Sequence, residues 1–143
     1  MSKVSEPPRI PGYEVTRSLG KGSIGFLFEA IQTSTERRVL LKVLDEIETS
    51  SEIEARFYRG AEIIARLSHP NIAQVYEIDR VGRRPYLVME HLDGGSLSFR
   101  MTKAHTDESV AAGWVGSLAE AIHHAHSSGI IHRDLKPSGV LFS

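Results

Sequence analysis

Apolar and polar positions alternate with a period of two from Tyr13, where Tyr13, Val15 and Leu19 fall on one face with Arg17 interrupting; the run breaks at GKGSIG and resumes as FLFEAI. This pattern predicts two strands joined by a glycine-rich turn. The next run, RRVLLKVL, predicts a third strand with Lys42 set among apolar neighbours. The period then lengthens. Ile53, Phe57, Gly60, Ile64 and Leu67 form an apolar stripe at helical spacing, Ser50 and Ser51 can cap its start, and Ser68, His69 and Pro70 end it, so a helix is predicted from about Glu52 to Leu67. IAQVYEID and PYLVMEHL return to strand patterning as a fourth and fifth strand joined by the turn DRVGRR. SLSFRMTK predicts a short helix. Asp107 opens a longer one ending near Ser128 and Gly129, with Trp114, Leu118, Ile122 and Ala125 on one face.

The 143 residues are 41% hydrophobic and 24% charged, enough for one modest globular domain. A formal net charge of -1 supplies no broad basic surface, so a nucleic-acid partner is not expected. With no cysteine there is neither a disulfide framework nor a thiolate zinc site. The opening MSKVSEPPRIPG has no apolar signal core, and no apolar run approaches the roughly 18 residues of a membrane span, so a soluble cytoplasmic chain without membrane contact is expected. Pro7, Pro8 and Pro11 mark residues 1–12 as a flexible leader.

Three places carry candidate chemistry. Gly20, Gly22 and Gly25 match G-x-G-x-x-G, where absent Cβ atoms let backbone amides approach phosphate; a strand rather than a helix follows, which argues against a dinucleotide fold. Lys42 either reaches out at a sheet edge or has a buried anionic partner, because an unpaired buried ammonium is costly. In IIHRDLKPSGVLFS, Asp134 stands between Arg133 and Lys136; its carboxylate can accept a hydroxyl proton while the cations face an anion, the plain alternative being a charged surface turn. His123, His124 and His126 lack a carboxylate or thiolate at matching spacing, and no metal site is assigned to them.

HRDLKP resembles the catalytic loop of protein kinases of the serine/threonine branch, and the order of glycine hairpin, lysine strand, helix, HPNI, hinge, helix and HRDLKP resembles that family from Tyr13 to Ser143. The resemblance implies an α+β fold: a kinase-like N-lobe of five antiparallel strands and one helix over 13–92, ending in a hinge, then the first C-lobe helices over 93–143 through the catalytic loop. It implies catalytic roles for Asp134, which orients the hydroxyl, for Lys136, which steadies the γ-phosphate, and for Lys42, which pairs the α- and β-phosphates. Gly20, Lys21, Gly22, Ser23, Ile24 and Gly25 would cover the phosphates of ATP, flanked by Leu19 and Phe26, with Leu27 at the position usually held by Val. By the resemblance Leu40 replaces the small Ala that roofs the adenine, Met89 is the gatekeeper, Glu90 to Leu92 the hinge, Ser96 the ribose contact or a helix cap, and Leu141 a further ATP-binding residue.

The same resemblance asks for a helix glutamate to pair with Lys42 and for an asparagine to hold magnesium, and this chain has Gly60 and Gly139 there. Glu62 lies about 200° round the helix from that stripe. The chain is also expected to stop short of the DFG and APE segments. Three readings stay open: an ATP-dependent serine/threonine kinase, inactive or nearly so as this chain; a pseudokinase or fragment that binds a protein partner or a missing C-lobe segment; and a truncated reading frame without function. ATP is expected to bind weakly, and magnesium lacks its protein ligands.

Overall fold

Strand and helix follow one another as the patterning predicts, in a computed structural model that describes residues 6–21, 25–45, 50–103, 105–133 and 135–143. The elements are β1 (Tyr13–Lys21), β2 (Phe26–Gln32), β3 (Arg37–Val43), α1 (Ser51–Ala65), β4 (Val75–Val81), β5 (Arg84–Glu90), α2 (Leu97–Lys103) and α3 (Glu108–Ser127). The strands form one antiparallel sheet in the order β1-β2-β3-β5-β4. Two units can be drawn: Met1–Arg66 with Gln74–His91, and Leu67–Ala73 with Leu92–Ser143.

In the first unit one sheet face buries Phe28, Ala30, Val39, Leu41, Val43, Tyr86 and Val88. Each large side chain removed from water there contributes about 1.5–3 kcal/mol. Ile10 is part of this cluster at 3% exposure, so the end of the stretch expected to be a flexible leader is packed into the core. On the other face, α1 seats Phe57 and Ala61 against Leu44, Val75 and Leu87. Ser50 caps α1 by accepting from the Ile53 amide at 3.3 Å, a bond that stabilises a helix by about 1 kcal/mol.

Three sequence expectations need correcting. The β1 face does not run to Leu19, which is exposed. Register shifts between Val15 and Arg17 and between Ser18 and Gly20 interrupt the alternation, and each extra residue turns the following side chain to the opposite face. The α1 stripe is Phe57 and Ala61, with Ala65 at its margin, while Ile64 is 39% exposed; the buried positions recur every four residues. The turn between β4 and β5 is only Gly82 and Arg83, since Arg80 pairs with Pro85 and Val81 with Arg84. A two-residue hairpin loop needs positive φ at its start, and Gly82 has φ 61°.

In the second unit Asp107 caps α3 by accepting from the Ser109 amide at 2.8 Å, and Gly129, at φ 77°, follows the helix end. Leu67–Ala73, expected with the first lobe, groups here: Asn71 Nδ2 donates to the Ser117 carbonyl at 3.5 Å, and the His69 ring lies 5.2 Å from that of His124. Among the described residues no helix is long and apolar enough to cross a membrane.

Candidate active site

Residues directly opposite one another on antiparallel strands share a face. Leu27 pairs with Lys42 and Lys42 with Leu87; Glu29 pairs with Leu40 and Leu40 with Met89. Five of the nominated residues or their neighbours, Leu27, Leu40, Lys42, Leu87 and Met89, therefore line the sheet face opposite the Ile10 cluster. Helix α1 covers the Leu87 end of that face, with Met89 at the margin of the packing.

Lys42 is half-buried in this apolar row, and desolvation lowers its pKa below the usual lysine value. Of the two options left by the strand pattern, neither holds in simple form. Lys42 lies on β3, an interior strand, and among the described residues no hydrogen bond or ion pair reaches its ammonium. Gly60 lies on α1, and a Cβ built there meets nothing within 4 Å. Packing does not require glycine at that position. Glu62 is exposed.

Glu90 and His91, expected as part of the hinge, are each held by hydrogen bonds to other segments of the first unit. Glu90 donates its amide to the Gln74 carbonyl at 2.8 Å, and its carboxylate accepts from the Gln74 amide at 3.0 Å. His91 Nε2 meets Glu29 Oε1 at 2.9 Å, and Arg17 donates to both oxygens of the same carboxylate at 2.6 and 3.1 Å. The hydrogen bond from Arg17, then that from His91, holds the Glu29 carboxyl below the usual carboxylate range. Period-two reading marks Glu29 only as the polar partner of buried Phe28 and Ala30. A clue was available in its sharing a face with Leu27.

In the hairpin, the Lys21 ammonium stands 5.7 Å from the Phe26 ring centre. Gly25 has φ 87°, and a Cβ there would lie 2.2 Å from the Val43 carbonyl oxygen, so both conformation and space call for glycine. Gly20 has φ 99° with open space around it. Gly22, Ser23, Ile24 and Asp134 lie outside the described residues.

In the second unit Ser96 forms an isolated antiparallel bridge with Leu141, extended by Gly94 N to Phe142 O at 2.7 Å and Leu97 N to Val140 O at 2.8 Å. The Ser96 hydroxyl accepts from the Phe99 amide at 3.2 Å, which gives it a capping role at the start of α2. Arg100 lies over the Phe142 ring at 3.8 Å and donates to the Gly94 carbonyl at 3.3 Å, while Trp114 meets Phe142 edge-on at 5.0 Å. These contacts hold the Leu141 segment against residues 94–97. Leu92 is half-buried. Lys136 precedes a single 3₁₀ turn, Pro137–Gly139, and Arg133, beside Asp134, is left-handed at φ 68°. That conformation costs a non-glycine residue on the order of 1–3 kcal/mol.

Gly139 presents no side chain where an amide ligand for magnesium would stand, and among the described residues no group of three or more His, Asp or Glu side chains could hold a metal ion. The residues present do not fit that ion at Gly139.

A family model described as the protein kinase domain matches residues 13–143. Serine/threonine-protein kinase PknJ of Mycobacterium tuberculosis is 35% identical over 133 residues, covering 92% of this chain and 23% of that protein. CBL-interacting protein kinase 12 of Oryza sativa is 35% identical over 130 residues, covering 90% of this chain and 24% of that protein. Aurora kinase B of Mus musculus is 34% identical over 142 residues, covering 98% of this chain and 41% of that protein. The chain thus spans between about a quarter and two fifths of the length of these relatives. A match over nearly the whole chain shows the family: the chain belongs to the protein kinase domain family.

Proposed function

We propose that this domain binds ATP weakly and, as this chain, transfers phosphoryl groups to serine or threonine hydroxyls slowly or not at all. The observation that carries this reading is Lys42: half-buried, with lowered pKa, and without an anionic partner among the described residues, while Gly60 leaves open space where the family has its glutamate. An unpaired lysine is not held in the pose that grips phosphates, and positioning is most of what catalyses this transfer. Leu27, Leu40 and Met89 supply an apolar surface for a purine, with Leu40 filling space that an alanine would leave; overfilling costs about 1–3 kcal/mol.

In this reading Asp134 orients the acceptor hydroxyl and takes its proton, Lys136 steadies the γ-phosphate, and Lys42 approaches the α- and β-phosphates. A magnesium ion would neutralise charge in the transfer when bound, but Gly139 cannot ligate it through a side chain, so no step is assigned to it. ATP titration of wild type, Leu40→Ala and Gly60→Glu tests the reading. Both variants should bind more tightly, Leu40→Ala by roughly 5- to 150-fold, and wild type should incorporate no label into protein substrates. Submicromolar ATP binding unchanged by Leu40→Ala, or label transfer that depends on Asp134, would overturn it.

A second reading, that the chain acts by binding a protein, is favoured by the exposure of Phe99, Met101, Val115 and Ile131, the last two at 65%. Pull-down with these four changed to Ser separates it from the first.

A further inference from the structure

Glu29 is the one acid in the row formed by Glu29, Leu40 and Met89, and three side chains converge on its carboxylate. Oε1 receives Arg17 Nη2 at 2.6 Å and His91 Nε2 at 2.9 Å, Oε2 receives Arg17 Nε at 3.1 Å, and Arg38 Nη2 stands 3.9 Å from Oε1. The side chains of Glu29 and His91 are 13% and 8% exposed, whereas those of Arg17 and Arg38 are more than half exposed. The strand order makes the His91 contact unusual. β3 lies between β2 and β5, so a carboxylate on β2 reaches past an entire strand to a side chain just beyond β5, beside Leu40. The bulge between Val15 and Arg17 puts Arg17 opposite Glu29 and so on the same face; unbroken alternation would have put it on the face of Ala30.

We propose that Glu29 is a positioning residue for the base of the nucleotide: through His91 it fixes the hinge to the glycine hairpin, and so sets the width of the slot roofed by Leu40. Arg17 holds the carboxylate in place as a bidentate partner, and His91 donates to it from Nε2. This rests on the ATP reading above, and it assigns the pair to the purine rather than to the phosphates, which Lys42 approaches.

The test uses the 143-residue chain with ATP and, separately, inorganic tripolyphosphate, in wild type, Glu29→Ala, Glu29→Gln, His91→Phe and the Ala/Phe double variant. Losing a hydrogen bond to a buried charge should weaken ATP binding by about tenfold in Glu29→Ala. Tripolyphosphate binding should be unchanged, His91→Phe should match Glu29→Ala, and the double variant should be no worse than either. Glu29→Gln, which keeps an acceptor for His91, should recover part of the loss. A general loss of structure would instead weaken both ligands equally, and that result overturns the proposal, as does ATP affinity unchanged in Glu29→Ala. Amide hydrogen exchange in the ligand-free chain is the second arm: residues 90 and 91 should exchange about tenfold faster in Glu29→Ala, with Leu41 and Val88 unaltered. If wild type binds no ATP, the nucleotide reading falls and the exchange arm decides the clamp: faster exchange at 90 and 91 upholds it, unchanged exchange overturns it.

Discussion

The Tyr13 hydroxyl donates to Glu77 Oε2 at 2.6 Å although β1 and β4 are the two outermost strands of the sheet. Tyr86 donates to Oε1 of the same carboxylate at 2.7 Å. Strand twist coils the sheet until its edges approach at this end. One acid thereby ties three strands together beside the core cluster.

Alkaline titration should report this bond. Burial first, and the hydrogen bond to Glu77 second, push the Tyr13 phenol up from 10.0 to about 12, and the same causes raise Tyr86 further. A folded pKa above the unfolded one means stability that is complete below pH 10.0 and lost as pH rises through about 12. Ultraviolet titration should show Tyr13 un-ionised until the protein begins to unfold. In Glu77→Gln, Tyr13 should ionise closer to 10.0 and the alkaline unfolding midpoint should move with it; a wild-type Tyr13 titrating at its ordinary value would contradict the bond.

On the acid side the responsible group is Glu29. Its folded pKa lies below the ordinary 4.5 because Arg17 and then His91 bond the carboxylate. The unfolded chain therefore binds more protons between the folded value and 4.5, and the stabilisation present above 4.5 is lost as pH falls through the folded value. Glu29→Gln should flatten the acid limb of a stability-versus-pH curve without altering the alkaline limb. Identical acid limbs in the two proteins would count against the cluster.

Lys42 is expected to cost stability. Its folded pKa is lowered by burial, so the folded chain releases a proton more readily than the unfolded one and stability rises with pH between the folded value and 10.5. Lys42→Met should raise Tm at neutral pH, by about 2 °C or more for a domain of this size. Gly60→Ala should add up to about 1 kcal/mol, since the site is helical and a Cβ has open space. Calorimetry checks both, and a fall in Tm for Lys42→Met would mean that the lysine has a partner.

Gly25→Ala should be among the most damaging single changes to the hairpin. The new Cβ would sit 2.2 Å from the Val43 oxygen at φ 87°, a cost of about 2 kcal/mol or more. Gly20→Ala meets open space and carries only the strain of its φ, so it should cost less. Denaturant melts of the two variants give the comparison; equal costs would mean that the Val43 contact relaxes freely.

Five strands, α1 with its Ser50 cap and α3 with its Asp107 cap were legible because period two, period 3.6 and capping side chains are local properties. So were Lys42 and the glycine hairpin, whose spacing carries the family pattern. The two-residue length of the loop at Gly82 and the exposure of Leu19 were not. Strand length and bulges depend on the partner strand, which local patterning does not contain.

The amino-acid sequence by itself determined which residue types stand at the candidate positions: the lysine on β3, the leucine at position 40, and glycines at 60 and 139. Only the tertiary structure decided what surrounds them. Glu29 reads as one more polar residue in a strand until the sheet order β1-β2-β3-β5-β4 brings His91 to it past β3 and a bulge delivers Arg17. Tyr13 and Glu77 are 64 residues apart, and nothing in either segment anticipates the other. The reason is physical: hydrophobic periodicity is set by each residue's nearest neighbours along the chain, whereas a carboxylate's partners are set by sheet order, register and twist, which exist only once distant strands have paired.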